Sequence, residues 1–394
     1  MSLQNNPQTL SEWLEWMERC HPSEIELGLE RICNVADLLA IDLSTSVVVT
    51  VAGTNGKGST ISYLRHIYED GGYSVGAYTS PHFLHYNERI QFNGKSVTDQ
   101  QLCDVFSAID RARGEIPLTY FEFGTLAALS IFTQEKPDIA LLEVGLGGRL
   151  DAINIVDPDI SIVTTVALDH TDWLGETREE IGFEKAGIFR ADKPAICGDL
   201  NPPKSIAEVA DNKGSTLFQA TDDFFYEISS TSWRWQGKDK QGTVVSLSDL
   251  PLPSLPIQNA STVLQACQLI PLPVTEKNLL TGIAQASLTG RMQNVQHSGL
   301  NIWLDVAHNP ESAELLRSKI EQMQGKVCLV LGMLSDKDCQ QVVGCLSPVV
   351  DYCYMVDLNV PRGEKAETLA SYLPEGQVAL CMDNVSNVLE QLKK

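Results

Sequence analysis

The chain has 394 residues, 43% hydrophobic and 20% charged, with 51 acidic against 29 basic side chains and a formal net charge of -22. That length exceeds one ordinary core and points to two domains, while the charge disfavours nonspecific attraction to nucleic acid phosphates or anionic membranes. Ten cysteines without a Cys-x-x-Cys pair read as reduced thiols, and with no basic-then-apolar leader and no apolar run near the roughly 20 residues of a membrane span, a cytoplasmic protein is expected.

An opening helix is predicted where Leu10, Trp13, Leu14 and Met17 share a face. Apolar runs and amphipathic stretches then alternate from Val47 to about Ile196, the pattern of a parallel α/β sheet. Strands are predicted near 47–51, 74–78, 139–144 and 160–166, and clear helices at 122–133 and 177–189. The first strand runs into Gly53-Thr54-Asn55-Gly56-Lys57-Gly58-Ser59. Three glycines let backbone N–H groups turn inward, Lys57 adds a point charge, and the helix that follows adds its positive end, so the matching ligand is a polyphosphate. The spacing is a variant of the standard phosphate loop, because Val51 stands where the first glycine belongs and Gly58 separates Lys57 from Ser59. A plain strand-turn-helix is the other reading.

Chemistry is expected at the C-terminal ends of these strands. Ser80-Pro81-His82 brings a hydroxyl there, either as a metal ligand or as part of a turn. Glu143 ends an apolar strand before Gly145-Leu146-Gly147-Gly148-Arg149-Leu150-Asp151; its carboxylate needs a partner, which is Mg²⁺ beside ATP or a salt bridge to Arg149. Asp169 and His170 close the next strand, as site residues or as a structural hydrogen bond. Lys185 follows on a helix, where facing water is the simpler role.

Phe224-Phe225-Tyr226, Trp233-Arg234-Trp235 and Val244-Val245, separated by polar turns, predict a small antiparallel sheet over 224–247. Pro251, Pro253 and Pro256 follow, then helices near 258–269 and 275–286 and a turn at Gly290. A second alternating series, with strands near 300–305, 327–331, 351–356 and 377–380, makes the second domain. The expected division is 1–289 and 298–394, with 290–297 as linker. At the end of that series' first strand, Asp305-Val306-Ala307-His308-Asn309-Pro310 either faces a cleft or caps a helix.

Taken in order, Gly-Thr-Asn-Gly-Lys-Gly-Ser, Ser-Pro-His, Glu-Val-Gly-Leu-Gly-Gly-Arg-Leu-Asp-Ala, Leu-Asp-His-Thr and Asp-Val-Ala-His-Asn-Pro resemble the folylpolyglutamate synthase family over nearly the whole chain. The resemblance extends to its bacterial bifunctional dihydrofolate synthase/folylpolyglutamate synthase branch, which residues 10–16 and 118–124 also match. That family belongs with the Mur ligases. The resemblance implies a P-loop ATPase-like N-terminal domain carrying the small antiparallel sheet, and a Rossmann-like C-terminal α/β domain. It implies ATP-dependent ligation of L-glutamate to dihydropteroate, and to the glutamate tail of reduced folates, through an acyl phosphate.

Residue by residue, the resemblance assigns ATP to Gly53, Thr54, Asn55, Gly56, Lys57, Gly58 and Ser59, with Asn259, Arg291 and Asp305. It assigns Mg²⁺ to Ser80, Glu143 and His170, joined by Lys185, which matches a family lysine that can be carbamylated. Gly28, Leu29, Thr119, Phe121, Asp151, Ala152 and Ile153 would line the pterin site, and His308 would lie near the incoming glutamate. The catalytic set implied is Lys57, Glu143, His170, Lys185 and His308, with K⁺ a candidate monovalent cofactor and a monomer expected. Two departures stand out. Ile153 replaces the threonine of Asp-Ala-Thr-Asn, and the family pattern continues through a further strand, a Gly-Ser segment and a helix beyond Lys394, so a shortened second domain is expected. Of the rival readings, a Mur-type ligase acting on a uridine-linked sugar needs a leading domain of about a hundred residues, whereas 52 precede Gly53. A P-loop switch ATPase would respond to a macromolecular partner instead.

Overall fold

The computed structural model describes residues 7–21, 23, 25–360 and 362–393 and divides into two units, Met1–Leu288 and Thr289–Lys394. In the first, β1 (Val47–Ala52), β2 (Val75–Tyr78), β3 (Ile90–Phe92), β4 (Lys95–Ser96), β5 (Ile139–Glu143), β6 (Ile160–Val163), β7 (Pro194–Cys197) and β8 (Thr216–Gln219) form one sheet in the order β4-β3-β2-β5-β1-β6-β7-β8. The strands from β2 to β8 in that order are parallel, and only β3 and β4 pair antiparallel.

β1 is central because its near-continuous apolar run has a buried layer on each side. Val48 and Ala52 pack into one core with the helices Leu10–Cys20, Glu30–Leu38, Asp99–Arg113 and Tyr120–Glu135. Val49 and Val51 pack into the other, with the helices Lys57–Asp70, Ile257–Leu269 and Glu276–Gln285. β1 also lies between β5 and β6, where the chain's path across the sheet changes direction and ligands of open α/β sheets bind.

The small sheet predicted over 224–247 is present and runs further, to Pro251: β9 (Phe225–Ile228), β10 (Ser232–Lys238) and β11 (Val244–Pro251) pair antiparallel in the order β11-β10-β9. Its Trp233 and Trp235 rings are buried in the second core layer. The strand expected to reach residue 166 stops at Val163, because the residues after it turn their hydrogen bonds to the phosphate loop.

In the second unit, β12 (Gln293–His297) and β13 (Leu300–Leu304) form an antiparallel ribbon, and β14 (Cys328–Leu331), β15 (Tyr352–Val356) and β16 (Ala379–Met382) a parallel sheet. Residues 293–297, expected within a linker, are therefore a strand. Ser298 and Gly299 both take positive φ, 52° and 81°, the backbone of a two-residue hairpin turn, which sets Val295 opposite Ile302. The polar faces of this ribbon hid its period. All ten cysteines are free thiols, and among the described residues no helix is long and apolar enough to cross a membrane.

The helix that follows the phosphate loop is held at Gly282, where a Cβ would stand 2.4 Å from Ile67 Cγ1 and 2.7 Å from the Ile67 backbone. The two helices touch because that position has no side chain. Gly282→Leu is expected to push them apart and destabilise the first unit by about 1–3 kcal/mol, seen as a lowered midpoint in urea or thermal denaturation; an unchanged midpoint would mean that the crossing is looser than described.

Candidate active site

The phosphate loop is shaped by close approach. At Gly53 (φ 149°) a Cβ would stand 1.8 Å from Thr164 Oγ1, and at Gly56 (φ 88°) it would stand 2.6 Å from Asn259 Oδ1. Any side chain at either position would displace the loop or its support. Gly56 is also the N-cap of helix Lys57–Asp70 and supplies no capping side chain, so the first-turn N–H groups suit an anionic partner. Lys57 Nζ folds back to donate to the carbonyls of Gly53 at 3.0 Å and Thr54 at 3.3 Å, and Ser59 is buried in the first turn.

Glu143, the last residue of β5, is 5% exposed, and its Oε2 accepts the Ser80 N–H at 3.1 Å. The Ser80–Pro81 peptide is cis. Arg149 does not pair with this carboxylate: its Nη2 lies 2.8 Å from Glu184 Oε1 and its guanidinium sits over the Phe183 ring. The salt-bridge alternative for Glu143 is thereby excluded. Among the described residues no group of three or more His, Cys, Asp or Glu side chains is placed to hold a metal. A buried carboxylate beside a serine at the mouth of a phosphate loop nevertheless fits a hard cation that takes its other ligands from phosphate and water.

Lys185 does not face water. It is 4% exposed, because Gly148 lets the glycine-rich turn press onto its helix, where the Arg149 N–H donates to the Glu184 carbonyl at 2.8 Å. Burial, assisted by the Lys57 charge, brings its pKa down to about 7 although Asp169 and Asp151 pull upward. Burial also pushes Asp151 up to about 6, against the N–H groups of Leu146 and Ile153 that its carboxylate accepts at 2.8 and 3.0 Å. Lys57, Lys185, Asp151 and Asp169 thus share one electrostatic neighbourhood. His170 differs from them. Its side chain is 46% exposed with Nε2 3.9 Å from Asp169 Oδ2, and its φ of 52° places it in the left-handed region.

The residues assigned to the pterin lie around the same glycine-rich turn. Gly28 N–H donates to the Leu150 carbonyl at 3.3 Å, and Leu29 stands just ahead of helix Glu30–Leu38 without a capping side-chain bond. Thr119 caps helix Tyr120–Glu135; its N–H donates to buried Glu122, which is paired with Arg31 at 2.9 Å. The Phe121 ring covers Gly145, where a Cβ would stand 2.5 Å from it. Ala152 and Ile153 lie in a short 3-10 helix, and Ile153 is fully buried in the core. The Ile153 side chain packs in the core beside the glycine-rich turn.

In the second unit, Asp305 accepts the N–H groups of Met292 at 2.9 Å and Ala307 at 2.8 Å, which fixes the backbone on either side of Arg291 and His308. His308 Nδ1 lies 2.9 Å from the Val306 carbonyl, and Asn309 caps helix Pro310–Ile320 through the Ser312 N–H at 3.0 Å. Asn309-Pro310 is accordingly a helix start, with Asp305 and His308 just ahead of it. Sequence reasoning passed over Thr164 and Thr165, which hold the phosphate loop. The available signal was a pair of hydroxyls closing an apolar strand at the sheet edge already assigned to chemistry.

Residues 51–232 match the Mur ligase middle domain and residues 290–394 the Mur ligase glutamate ligase domain. The dihydrofolate synthase/folylpolyglutamate synthase of Escherichia coli strain K12 is 46% identical over 382 residues, which span 96% of this chain and 89% of that protein. The structure of E. coli FolC in complex with DHPP and ADP superposes with a TM-score of 0.93 at 44% identity, covering 99% of this chain and 92% of that one. A bifunctional folylpolyglutamate synthase/dihydrofolate synthase with Mn, AMPPNP and L-glutamate bound gives 0.90 at 44% identity, covering 98% and 93%. With that likeness along its length and the phosphate loop, Glu143 and Lys185 gathered at one sheet edge, the chain belongs to the dihydrofolate synthase/folylpolyglutamate synthase family, ATP-dependent acid–amino-acid ligases of Mur ligase type.

Proposed function

We propose that this protein joins L-glutamate to dihydropteroate, and to the glutamate tail of reduced folates, using ATP. The observation that carries the reading is a polyphosphate-binding loop, a buried carboxylate and a buried lysine brought to one sheet edge in a chain of this family. The acceptor carboxylate attacks the γ-phosphoryl group of ATP and ADP leaves, which gives an acyl phosphate. The glutamate amine then attacks the acyl carbon, phosphate departs with the C–O bonding pair, and the amine gives up a proton as the amide forms. Lys57 and the loop N–H groups stabilise charge on the transferring phosphoryl group. Glu143 and Ser80 would hold a divalent ion, Mg²⁺ in this reading, which supplies charge neutralisation at the phosphate oxygens.

Lys185 has a second part. With its pKa near 7 a large share of the amine is neutral at physiological pH, the form able to take up CO₂ as a carbamate and release a proton. A buried cation becomes a buried anion suited to a metal-bearing site. Arg291, Asp305 and His308 of the second unit remain candidates for nucleotide and L-glutamate contacts, and Thr119, Phe121 and Asp151 for the pterin.

The direct test is incubation with ATP, Mg²⁺ and L-glutamate plus dihydropteroate or a reduced folate, with ADP release measured and products weighed by mass spectrometry. One added glutamate per ADP is expected, and Lys57→Met should lower turnover at least about 100-fold. Absence of ADP release with every acceptor would overturn the assignment.

The folded chain lets go of the Lys185 proton near pH 7 and the unfolded chain near 10.5. Between those limits unfolding takes up a proton, so this position's share of stability rises with pH. In buffer free of metal and bicarbonate, Lys185→Met is expected to melt at or above the wild-type temperature near pH 7, with the advantage shrinking toward pH 10; assayed separately with Mg²⁺ and bicarbonate present, its ligation is expected to fall at least about 100-fold. A lower melting temperature at pH 7 would show that the ammonium supports the fold.

A further inference from the structure

Two separate pieces of chain hold the phosphate loop from outside it. The first is the strap 164–167 beyond β6. Its Thr165 carbonyl accepts the Thr54 N–H at 2.8 Å, Thr165 Oγ1 accepts the Asn55 N–H at 3.1 Å, Thr164 Oγ1 donates to the Asn55 carbonyl at 2.6 Å, and the Ala167 N–H donates to Thr54 Oγ1 at 3.0 Å. The second is helix Ile257–Leu269, whose Asn259 occupies the space beside Gly56.

Both supports meet at the residues leaving β7, Gly198 and Asp199. The Gly198 carbonyl accepts Gln258 Nε2 at 2.8 Å, and its missing side chain admits Thr262, whose Oγ1 is 2.3 Å from where a Cβ would lie. Asp199 is buried. Its Oδ2 accepts the Val166 N–H at 2.6 Å and its Oδ1 the Asn201 N–H at 2.9 Å. Arg178, the first residue of the helix that carries Lys185, places Nη2 3.2 Å from each Asp199 oxygen while its Nε donates to the Val166 carbonyl at 2.7 Å. Val166 is therefore gripped through both of its backbone polar groups by one ion pair from two other elements. Charge-assisted bonds of this length are the strong class, and removing one partner leaves the other's charge uncompensated.

Resting on the assignment of the loop to ATP, we propose that Asp199 and Arg178 are positioning residues for the nucleotide. They fix Val166, Val166 fixes the strap, and the strap sets the Thr54 and Asn55 backbone. Neither residue lies on the loop itself. Losing the pair leaves the strap's own threonine bonds and the Val166 side chain's place in the core but removes both ties on the Val166 backbone, and a displacement of this kind far from the chemistry costs affinity and rate.

The test compares wild type with Asp199→Ala, Asp199→Asn and Arg178→Met, measuring ADP binding by calorimetry with Mg²⁺, steady-state KM for ATP and for L-glutamate, and melting temperature. Asp199→Ala and Arg178→Met are expected to weaken ADP binding about 10- to 100-fold, the scale for partners one shell removed from a ligand. The KM for ATP should rise while that for L-glutamate stays within about twofold of wild type. Asp199→Asn keeps an acceptor for the Val166 N–H and should recover part of the loss. Folded variants that bind ADP as wild type does overturn the proposal alone, and so does an equal rise in both KM values. Wild-type protein that binds no ADP overturns the nucleotide reading and the proposal with it. Should Asp199→Ala fail to fold, Arg178→Met, at a partly exposed position, carries the same decision.

Discussion

Backbone at Gly53 and Gly56 passes so close to Thr164 and Asn259 that no Cβ fits, and much of the first unit is arranged around that contact. A loop meant to wrap a polyphosphate presents its N–H groups inward, and its outer side then has to be held by something other than sheet or helix. Thr164, Thr165 and Asn259 provide that hold from two different elements, which is why the loop carries glycine where it meets them. The same economy recurs at Gly145 under Phe121 and at Gly148 under the Lys185 helix. At each place the missing side chain brings a functional segment against a neighbour, and at Gly148 the result is a buried lysine.

Burial then sets the chemistry. Lys57, Asp169 and Asp151 all act on Lys185, Lys57 acts on Asp151 as well, and burial opposes the charged form of Lys185 and of Asp151 alike. The consequence is a lysine and an aspartate whose pKa values approach neutrality from opposite sides, so the net charge of the neighbourhood responds to what binds there. Glu143 Oε2 is met by a backbone N–H, and the nearby arginine is committed to Glu184.

Apolar periodicity made the sheet, its two helical layers and the small antiparallel sheet legible, because β1 and its neighbours are buried on both faces and cannot be read otherwise. The phosphate loop and Glu143 were legible for a related reason, since glycine clusters and a lone carboxylate ending an apolar strand are costly unless they are used. What escaped was decided by pairing across distance. Gln293–His297 alternates polar residues with few apolar ones, so only its Ser298-Gly299 turn marked it as a strand. Lys185 carries no local sign of burial, which comes from a glycine nearly forty positions earlier.

The strap from Thr164 to His170 shows why such residues resist prediction. It has left the ladder of β6, so its path is set neither by strand nor by helix periodicity but by side chains reaching in from the phosphate loop, from Asp199 and from Arg178. It ends at His170 in a left-handed conformation, a state that costs a non-glycine residue about 1–3 kcal/mol and persists only where the surroundings dictate it. Here the His170 N–H donates to Asp169 Oδ1 at 3.0 Å, and the segment ahead of it is pinned at Val166. A segment whose backbone is held by polar contacts from other elements, with Val166 alone of 164–167 packed in the apolar core, has many competing conformations in isolation and one in context. The path of the strap through Val166 therefore depends on an aspartate and an arginine that local sequence patterns do not link to it.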